Sequence, residues 1–170
     1  MKTAVHVSLL VLLSSTFGLP ASLLAAAPAI FAEPAAATRA AVEQAVLETN
    51  ARMTAAANRL DADAFFDFIF ETDKALIIQN GLLFKNRAEA LASVRRGFSG
   101  IAKMDRRFEN PRVTVIADDC AVLAAEGSSD ATLDDGRRVQ SRFVVSMVFV
   151  RQRGQWKLLH GHYSTPPAAP

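Results

Sequence analysis

The sequence predicts an α+β fold in which three helices are followed by an antiparallel sheet. Apolar residues in the first half recur at spacings of three and four, which is typical of amphipathic helices. From residue 103 onward, strand-like stretches alternate with short turns rich in Asp, Arg and Gly. With the N-terminal leader set aside, about 135 residues remain, which suits one domain.

The N-terminus has the pattern of an export signal peptide. Lys2 precedes an apolar run and an Ala-rich segment. Cleavage is expected after Ala32, with Ala26 or Ala27 as the alternative site. The run is too short for a membrane span and prolines follow it, so no stable membrane anchor is expected after processing. The protein is therefore expected in the periplasm or outside the cell. The predicted organisation is a signal peptide at 1–32, a flexible lead-in at 33–37, a folded domain at 38–165 and a tail at 166–170.

Charge and cysteine content exclude several classes of protein. One of the 19 basic residues lies in the leader, so the mature chain has 18 basic against 17 acidic residues, which argues against a nucleic-acid surface. The pairs Arg95-Arg96 and Arg106-Arg107 are interpreted as parts of solvated faces. Cys120 is the only cysteine, so no internal disulfide can form and the core must stabilise the fold.

Local signals place the first two helices. A first helix is expected from Thr38 to about Leu60, because its apolar residues form one stripe. Asp61 is the expected N-cap of a second helix over residues 62–70. That helix is so rich in Phe that almost no polar face remains.

A hairpin and a third helix follow. The Asn-Gly pair at 80–81 is suited to a type I′ turn and is expected to join short strands over 75–79 and 82–85. Asn86 and Glu89 then form a capping box for the third helix.

The remaining chain predicts a four-stranded antiparallel meander. In the third of these strands, apolar residues occupy both alternating faces. The sheet is therefore expected to be covered by helices on one face and by a partner subunit on the other. The four strands are expected at 103–118, 120–132, 139–151 and 155–164.

The last strand gathers the rarest side chains of the chain. It holds the only Trp, the only Tyr and both His residues that lie outside the leader. Because side chains of a strand alternate between its faces, two groups are expected. One face should carry Trp156, Leu158, His160, His162 and Ser164, and the other Lys157, Leu159, Gly161 and Tyr163.

This strand resembles the last strand of the SnoaL-like branch of the nuclear transport factor 2-like superfamily. In that branch the strand commonly reads Gly-x-Trp-Lys-hydrophobic-x-His-x-His-x-Ser. The Val-Phe-Val-Arg stretch at 148–151 and the order of elements from about residue 38 to residue 164 are also similar to the family pattern. The matching residues of the last strand are Gly154, Trp156, Lys157, Leu158, His160, His162 and Ser164.

The resemblance implies a cone-shaped fold, in which a curved antiparallel sheet wraps around the N-terminal helices. The open end of such a cone can admit a small apolar molecule. The resemblance also implies a homodimer formed through the outer face of the sheet. Members include a ketosteroid isomerase, a dehydratase, polyketide cyclases and a kinase association domain, so the function has to be argued from the side chains in the cone.

Candidate site residues follow from the chemistry that such a cone could perform. Proton transfer beside a carbonyl needs a base and a donor for the oxyanion, and His162 or His160 could serve as the base with Asp73 or Glu126 as the acidic partner. The two His residues offer fewer ligands than a zinc site needs, so no metal and no cofactor are expected. The candidates for contact with a ligand are Phe65, Phe66, Ile69, Arg142, Ser146, Trp156 and Tyr163.

Three functions fit these residues. The favoured interpretation is an exported protein that binds a small apolar or weakly acidic molecule in its cone without a cofactor. The first alternative is a cofactor-free isomerase, dehydratase or cyclase that uses a His with an acidic partner. Against it, isomerase members place a Tyr donor on the first helix, where this chain has none. The second alternative is a structural or association domain.

Overall fold

The computed structural model describes residues 35–74 and 77–166. The predicted signal peptide, residues 33–34 of the lead-in and most of the tail lie outside these residues. In the described part, no helix is long and apolar enough to cross a membrane. The predicted α+β order is confirmed. The elements are α1 (Ala36–Asn58), α2 (Ala62–Phe66), β1 (Ile77–Gln79), β2 (Leu82–Phe84), α3 (Arg87–Phe98), β3 (Ile101–Ala117), β4 (Cys120–Leu133), β5 (Arg138–Gln152) and β6 (Gln155–Ser164).

The strands form one open, mixed sheet with the order β2-β1-β6-β5-β4-β3. Strands β3 to β6 pair antiparallel in chain order, which confirms the meander. Strand β1 instead runs parallel to β6. The sheet is therefore mixed, whereas the expected sheet was antiparallel throughout. The reason lies just before β1, where the Phe70 N–H donates to the Leu158 carbonyl and the Leu158 N–H donates to the Phe68 carbonyl, each at 2.8 Å. Because of these bonds, residues 68–70 run beside β6 and in the same direction as that strand.

The helix boundaries differ from the prediction at two places. Helix α1 begins at Ala36, so the last residues of the expected flexible lead-in are helical. Helix α2 ends at Phe66 rather than at residue 70, because the backbone from Phe68 to Phe70 bonds to β6 instead of continuing the helix.

The local capping signals are confirmed. The Asp61 carboxylate accepts a hydrogen bond from the Ala64 N–H at 2.9 Å, and the Asn86 side chain accepts one from the Glu89 N–H at 2.9 Å. In the hairpin, Asn80 and Gly81 have φ angles of 52° and 76°, as a type I′ turn requires.

The core lies between α1, α2 and the inner face of the sheet, which is the face toward the helices. On β5 the inward residues Phe143, Val145, Met147 and Phe149 are all buried. The outward Val144 is 49% exposed, so a single chain covers only one face of the sheet. The helices and the inner face together enclose the space in which a ligand can be held.

Candidate functional site

A bulge in β6 decides which of its side chains face the helices. Leu158 lies opposite Phe149, whereas His160 lies opposite Val148, so Leu159 is an extra residue without a partner on β5. An extra residue reverses the alternation of the strand beyond it. The prediction that His160 shares a face with Leu158 is wrong for this reason.

Beyond the bulge, Gly161 and Tyr163 face the helices and the two His residues face outward. His162 is exposed and lies opposite the outward Ser146. His160 is half-buried and lies opposite the outward Val148. The imidazoles therefore lie on the outer face of the sheet, outside the cone.

The acidic candidates are also outside the cone. Glu126 lies on the outer face, where Arg142 forms ion pairs with it at 3.7 Å and with Glu109 at 3.4 Å. Asp73 is exposed in the loop before β1 and lies 3.8 Å from the Lys74 ammonium. The four residues proposed as catalytic do not converge, and their catalytic role stays a prediction that the geometry does not support.

The interior of the cone contains two adjoining cavities with volumes of about 50 and 300 Å³. The Tyr163 side chain lines the smaller cavity, and Met104 lines the larger one, which extends toward the β1–β2 hairpin. The residues that line both cavities are Phe65, Gln79, Phe84, Ser93, Val94 and Arg106.

Arg106 is the one charged residue in the described lining of these cavities. Its guanidinium carbon lies 4.4 Å from the ring centre of Phe143, 5.0 Å from that of Tyr163 and 5.8 Å from that of Phe108. The expectation that Arg106 is solvated is therefore wrong. On β3 it lies opposite Ser129, in the inward register of Phe108, whereas its neighbour Arg107 faces outward.

The guanidinium of Arg106 has no negative partner among the described residues. None of their ion pairs includes it, and its buried Nε has no hydrogen-bond partner there. Arg106 is half-buried, and removing part of an unpaired charge from water costs free energy, of which the three aromatic rings recover a share. Such a group fits a site that a negatively charged ligand completes.

Asn58 holds the backbone of Arg106 in place. Strand β3 is at the edge of the sheet, so every second residue turns its N–H and carbonyl away from β4. The Asn58 side chain at the end of α1 accepts from the Arg106 N–H at 2.7 Å and donates to the Arg106 carbonyl at 3.1 Å. Asn58 thereby acts as the missing strand partner at this residue.

Gly127 allows the rings of Phe108 and Phe143 to pack against each other next to Arg106. Its position on β4 lies between Phe108 and Phe143, whose rings meet edge to face at 5.4 Å. A Cβ atom at residue 127 would lie 2.3 Å from Cζ of Phe143 and 2.5 Å from the Arg107 carbonyl oxygen. Only glycine lets the Phe143 ring pack this closely on the strand.

Tyr163 supplies a neutral donor next to Arg106. Burial raises the pKa of its phenol above the ordinary value, and the nearby Arg106 charge opposes that rise in part. The hydroxyl donates to Sδ of the buried Met147 at 3.5 Å, and this thioether is a weak acceptor. No carboxylate or imidazole belongs to the described lining of either cavity.

The other ligand-contact candidates are distributed over three places. Phe65 and Tyr163 line the cone, and their contact with a ligand stays a prediction. Arg142 and Ser146 are on the outer face. Phe66, Ile69 and Trp156 line a separate groove of about 730 Å³ beside α1. Among the described residues, no group of three or more His, Cys, Asp or Glu side chains could hold a metal ion.

Sequence comparison identifies a domain type. Residues 46–169 match the family model of the SnoaL-like domain. No curated protein sequence matches this chain.

Solved structures share the fold at low sequence identity. A nuclear transport factor 2 (NTF2-like) superfamily protein from Salmonella enterica subsp. enterica serovar Typhimurium str. LT2 is 16% identical, with a TM-score of 0.70 over 78% of this chain and 96% of that one. Hexachlorocyclohexane dehydrochlorinase LinA-type3 from Novosphingobium barchaimii LL02 is 14% identical, with a TM-score of 0.66 over 80% and 94%. An uncharacterised protein with a cystatin-like fold from Caulobacter vibrioides is 16% identical, with a TM-score of 0.61 over 72% and 88%.

Proposed function

Because this chain belongs to the SnoaL-like domain family of the nuclear transport factor 2-like superfamily, we propose that it binds a small ligand in its cone. The proposed ligand is mainly apolar and carries one acidic group. The observation that carries the proposal is the Arg106 guanidinium, which lies over three aromatic rings without a negative partner among the described residues.

The cavity chemistry supports an acidic head and an apolar body. A guanidinium can donate two parallel hydrogen bonds to a carboxylate, and the Tyr163 hydroxyl can donate a third. Phe65, Phe84 and Val94 present apolar surface to the rest of the ligand. The larger cavity, at about 300 Å³, lies at the lower end of the usual size range for small-molecule sites.

Binding is favoured over catalysis because the described lining has donors but no base. Arg106 and Tyr163 could stabilise an enolate oxygen, as isomerases and dehydratases of this fold require. Proton abstraction also needs a group that accepts the proton. Besides the Tyr163 phenol, the described lining offers only the Gln79 and Asn80 amides and the Ser93 hydroxyl. The cofactor-free enzyme therefore ranks second, and no cofactor is part of the proposal.

We also propose that the protein is exported and forms a homodimer. The Lys2 and apolar-run pattern of the leader supports export. The outer face of β4 and β5 supports a second copy as its occupant, because Val144 is exposed there and Arg142 and Glu126 could pair across a two-fold axis. Intact-mass analysis of secreted protein and its molar mass by light scattering test these two points.

The binding proposal is tested with protein purified from its own host. Native mass spectrometry is expected to show a retained anionic small molecule on the wild-type chain and none on Arg106→Gln. Arg142→Gln removes the same charge from the outer face and is expected to retain the molecule. Equal retention by Arg106→Gln and the wild type would contradict the proposal.

A further inference from the structure

The groove of about 730 Å³ is separate from the cone and has a different chemistry. It runs between α1, the segment that follows α2 and the turn between β5 and β6. We infer that this groove binds a small, multiply charged oxyanion, in which phosphate or carboxylate groups are carried on a compact scaffold. The inference does not depend on the function proposed for the cone.

Two cations from different elements are fixed on the backbone that follows α2. Arg87, the first residue of α3, donates to the Phe66 carbonyl at 2.9 Å, and its guanidinium lies 5.5 Å from the Phe66 ring centre. Lys157 on β6 donates to the carbonyl of the next residue, Asp67. Both residues are half-buried.

A third cation reaches the same segment from α1. The Arg52 guanidinium lies 5.7 Å from the ring centre of Phe68. Three elements distant in sequence therefore place one cation each on three consecutive residues, 66–68. Hydrogen bonds to backbone carbonyls hold Arg87 and Lys157 in defined positions, so these two side chains lose less conformational entropy when a ligand binds.

These cations form no direct ion pair with the carboxylates that share the groove. Glu48, Asp67 and Glu71 line it, as does a fourth cation, the exposed Arg153. No ion pair among the described residues includes any of the four cations. Glu48 precedes Arg52 by four residues, a spacing that favours an ion pair on a helix, but Arg52 lies over an aromatic ring instead.

Cations that contact three consecutive residues repel each other, and an anion bound between them lowers this repulsion. Each guanidinium can donate two hydrogen bonds to one oxyanion, and the ammonium adds further donors. A singly charged ligand would satisfy only one of the three cations. The chain as a whole has almost balanced charge, which favours a small ligand over a long polyanion such as a nucleic acid.

Inorganic pyrophosphate is the probe for the test, with binding measured by equilibrium dialysis at low salt. The only Trp of the chain, Trp156, lines the groove, so its fluorescence reports where the probe binds. We expect saturable binding by the wild type, a fluorescence change with the same Kd and weaker binding of monophosphate. Arg52→Gln and Lys157→Gln should each raise the Kd by about tenfold, because each loses a charge-assisted contact.

Arg96→Gln is the matched control, since Arg96 is exposed on α3 and does not line the groove. Its Kd should equal that of the wild type, and circular dichroism should show that all three variants are folded. The inference is overturned if the wild type does not bind pyrophosphate, or if Arg52→Gln and Arg96→Gln bind it equally well. Equal affinities for pyrophosphate and monophosphate would also overturn it.

Discussion

Replacing Gly127 by Ala tests whether the Phe143 ring can pack on β4 only when residue 127 has no side chain. The added Cβ would lie 2.3 Å from Cζ and 2.5 Å from Cε2 of Phe143, and 2.5 Å from the Arg107 carbonyl oxygen. The ring cannot move toward the helices freely, because it packs against Phe108 and under the Arg106 guanidinium. The backbone carbonyl cannot move without disturbing the pairing of β3 with β4.

Overpacking of this kind typically costs about 1–3 kcal/mol of folding free energy. In a domain of this size, about 4 °C of melting temperature corresponds to 1 kcal/mol, so the midpoint should fall by about 4–12 °C. The measurement is thermal and urea unfolding followed by circular dichroism.

Gly97→Ala is the matched control, because the same methyl group has the opposite effect there. Gly97 lies within α3, and a Cβ at that residue meets no atom within 4 Å. Alanine is a better helix former than glycine by about 1 kcal/mol, so this variant should be slightly more stable than the wild type. If Gly127→Ala unfolds at the wild-type midpoint or above it, the close packing of Phe143 on β4 is refuted.

Three further predictions concern Asn58, Tyr163 and His162. Asn58→Ala leaves the Arg106 N–H and carbonyl without their side-chain partner, so urea unfolding should show a loss of about 1–3 kcal/mol; an unchanged midpoint would show that water replaces Asn58. Because folding raises the pKa of Tyr163 above its ordinary 10.0, its contribution to stability is full below about pH 10 and declines as the pH rises toward the folded-state pKa. Absorbance titration of this only Tyr should give a midpoint above 10, and a midpoint at or below 10 would refute its burial. His162→Ala should leave ligand retention in native mass spectrometry unchanged, since His162 is exposed on the outer face. Loss of the ligand would show that His162 belongs to the binding site.

Local sequence signals predicted most of the fold. Asp61 and Asn86 cap helices, and the Asn80-Gly81 pair forms its turn, because such motifs act through bonds within a few residues. The parallel pairing of β1 with β6 was not predicted, since it depends on hydrogen bonds between residues 68–70 and Leu158, which are far apart in the chain.

The site was predicted less well because one bulge reverses the faces of the last strand. Strict alternation placed His160 and His162 in the cone, whereas the extra Leu159 turns Tyr163 inward instead. Arg106 was missed because it stands beside an outward Arg107 in a charged stretch. The available signal was the alternation of β3, which puts Arg106 in register with the apolar Met104 and Phe108.

Isothermal titration with a matched pair of ligands tests the role of Arg106 most directly. Phenylbutyrate carries a carboxylate, and phenylbutyramide has the same body with a neutral amide. The wild type should bind the acid at least about tenfold more tightly than the amide, since the acid forms charge-assisted hydrogen bonds with the guanidinium. Arg106→Gln should lose this preference, and Arg142→Gln should keep it. A wild type that binds both compounds equally, or an Arg106→Gln variant that still prefers the acid, would contradict the assignment of the cone as an acid-binding site.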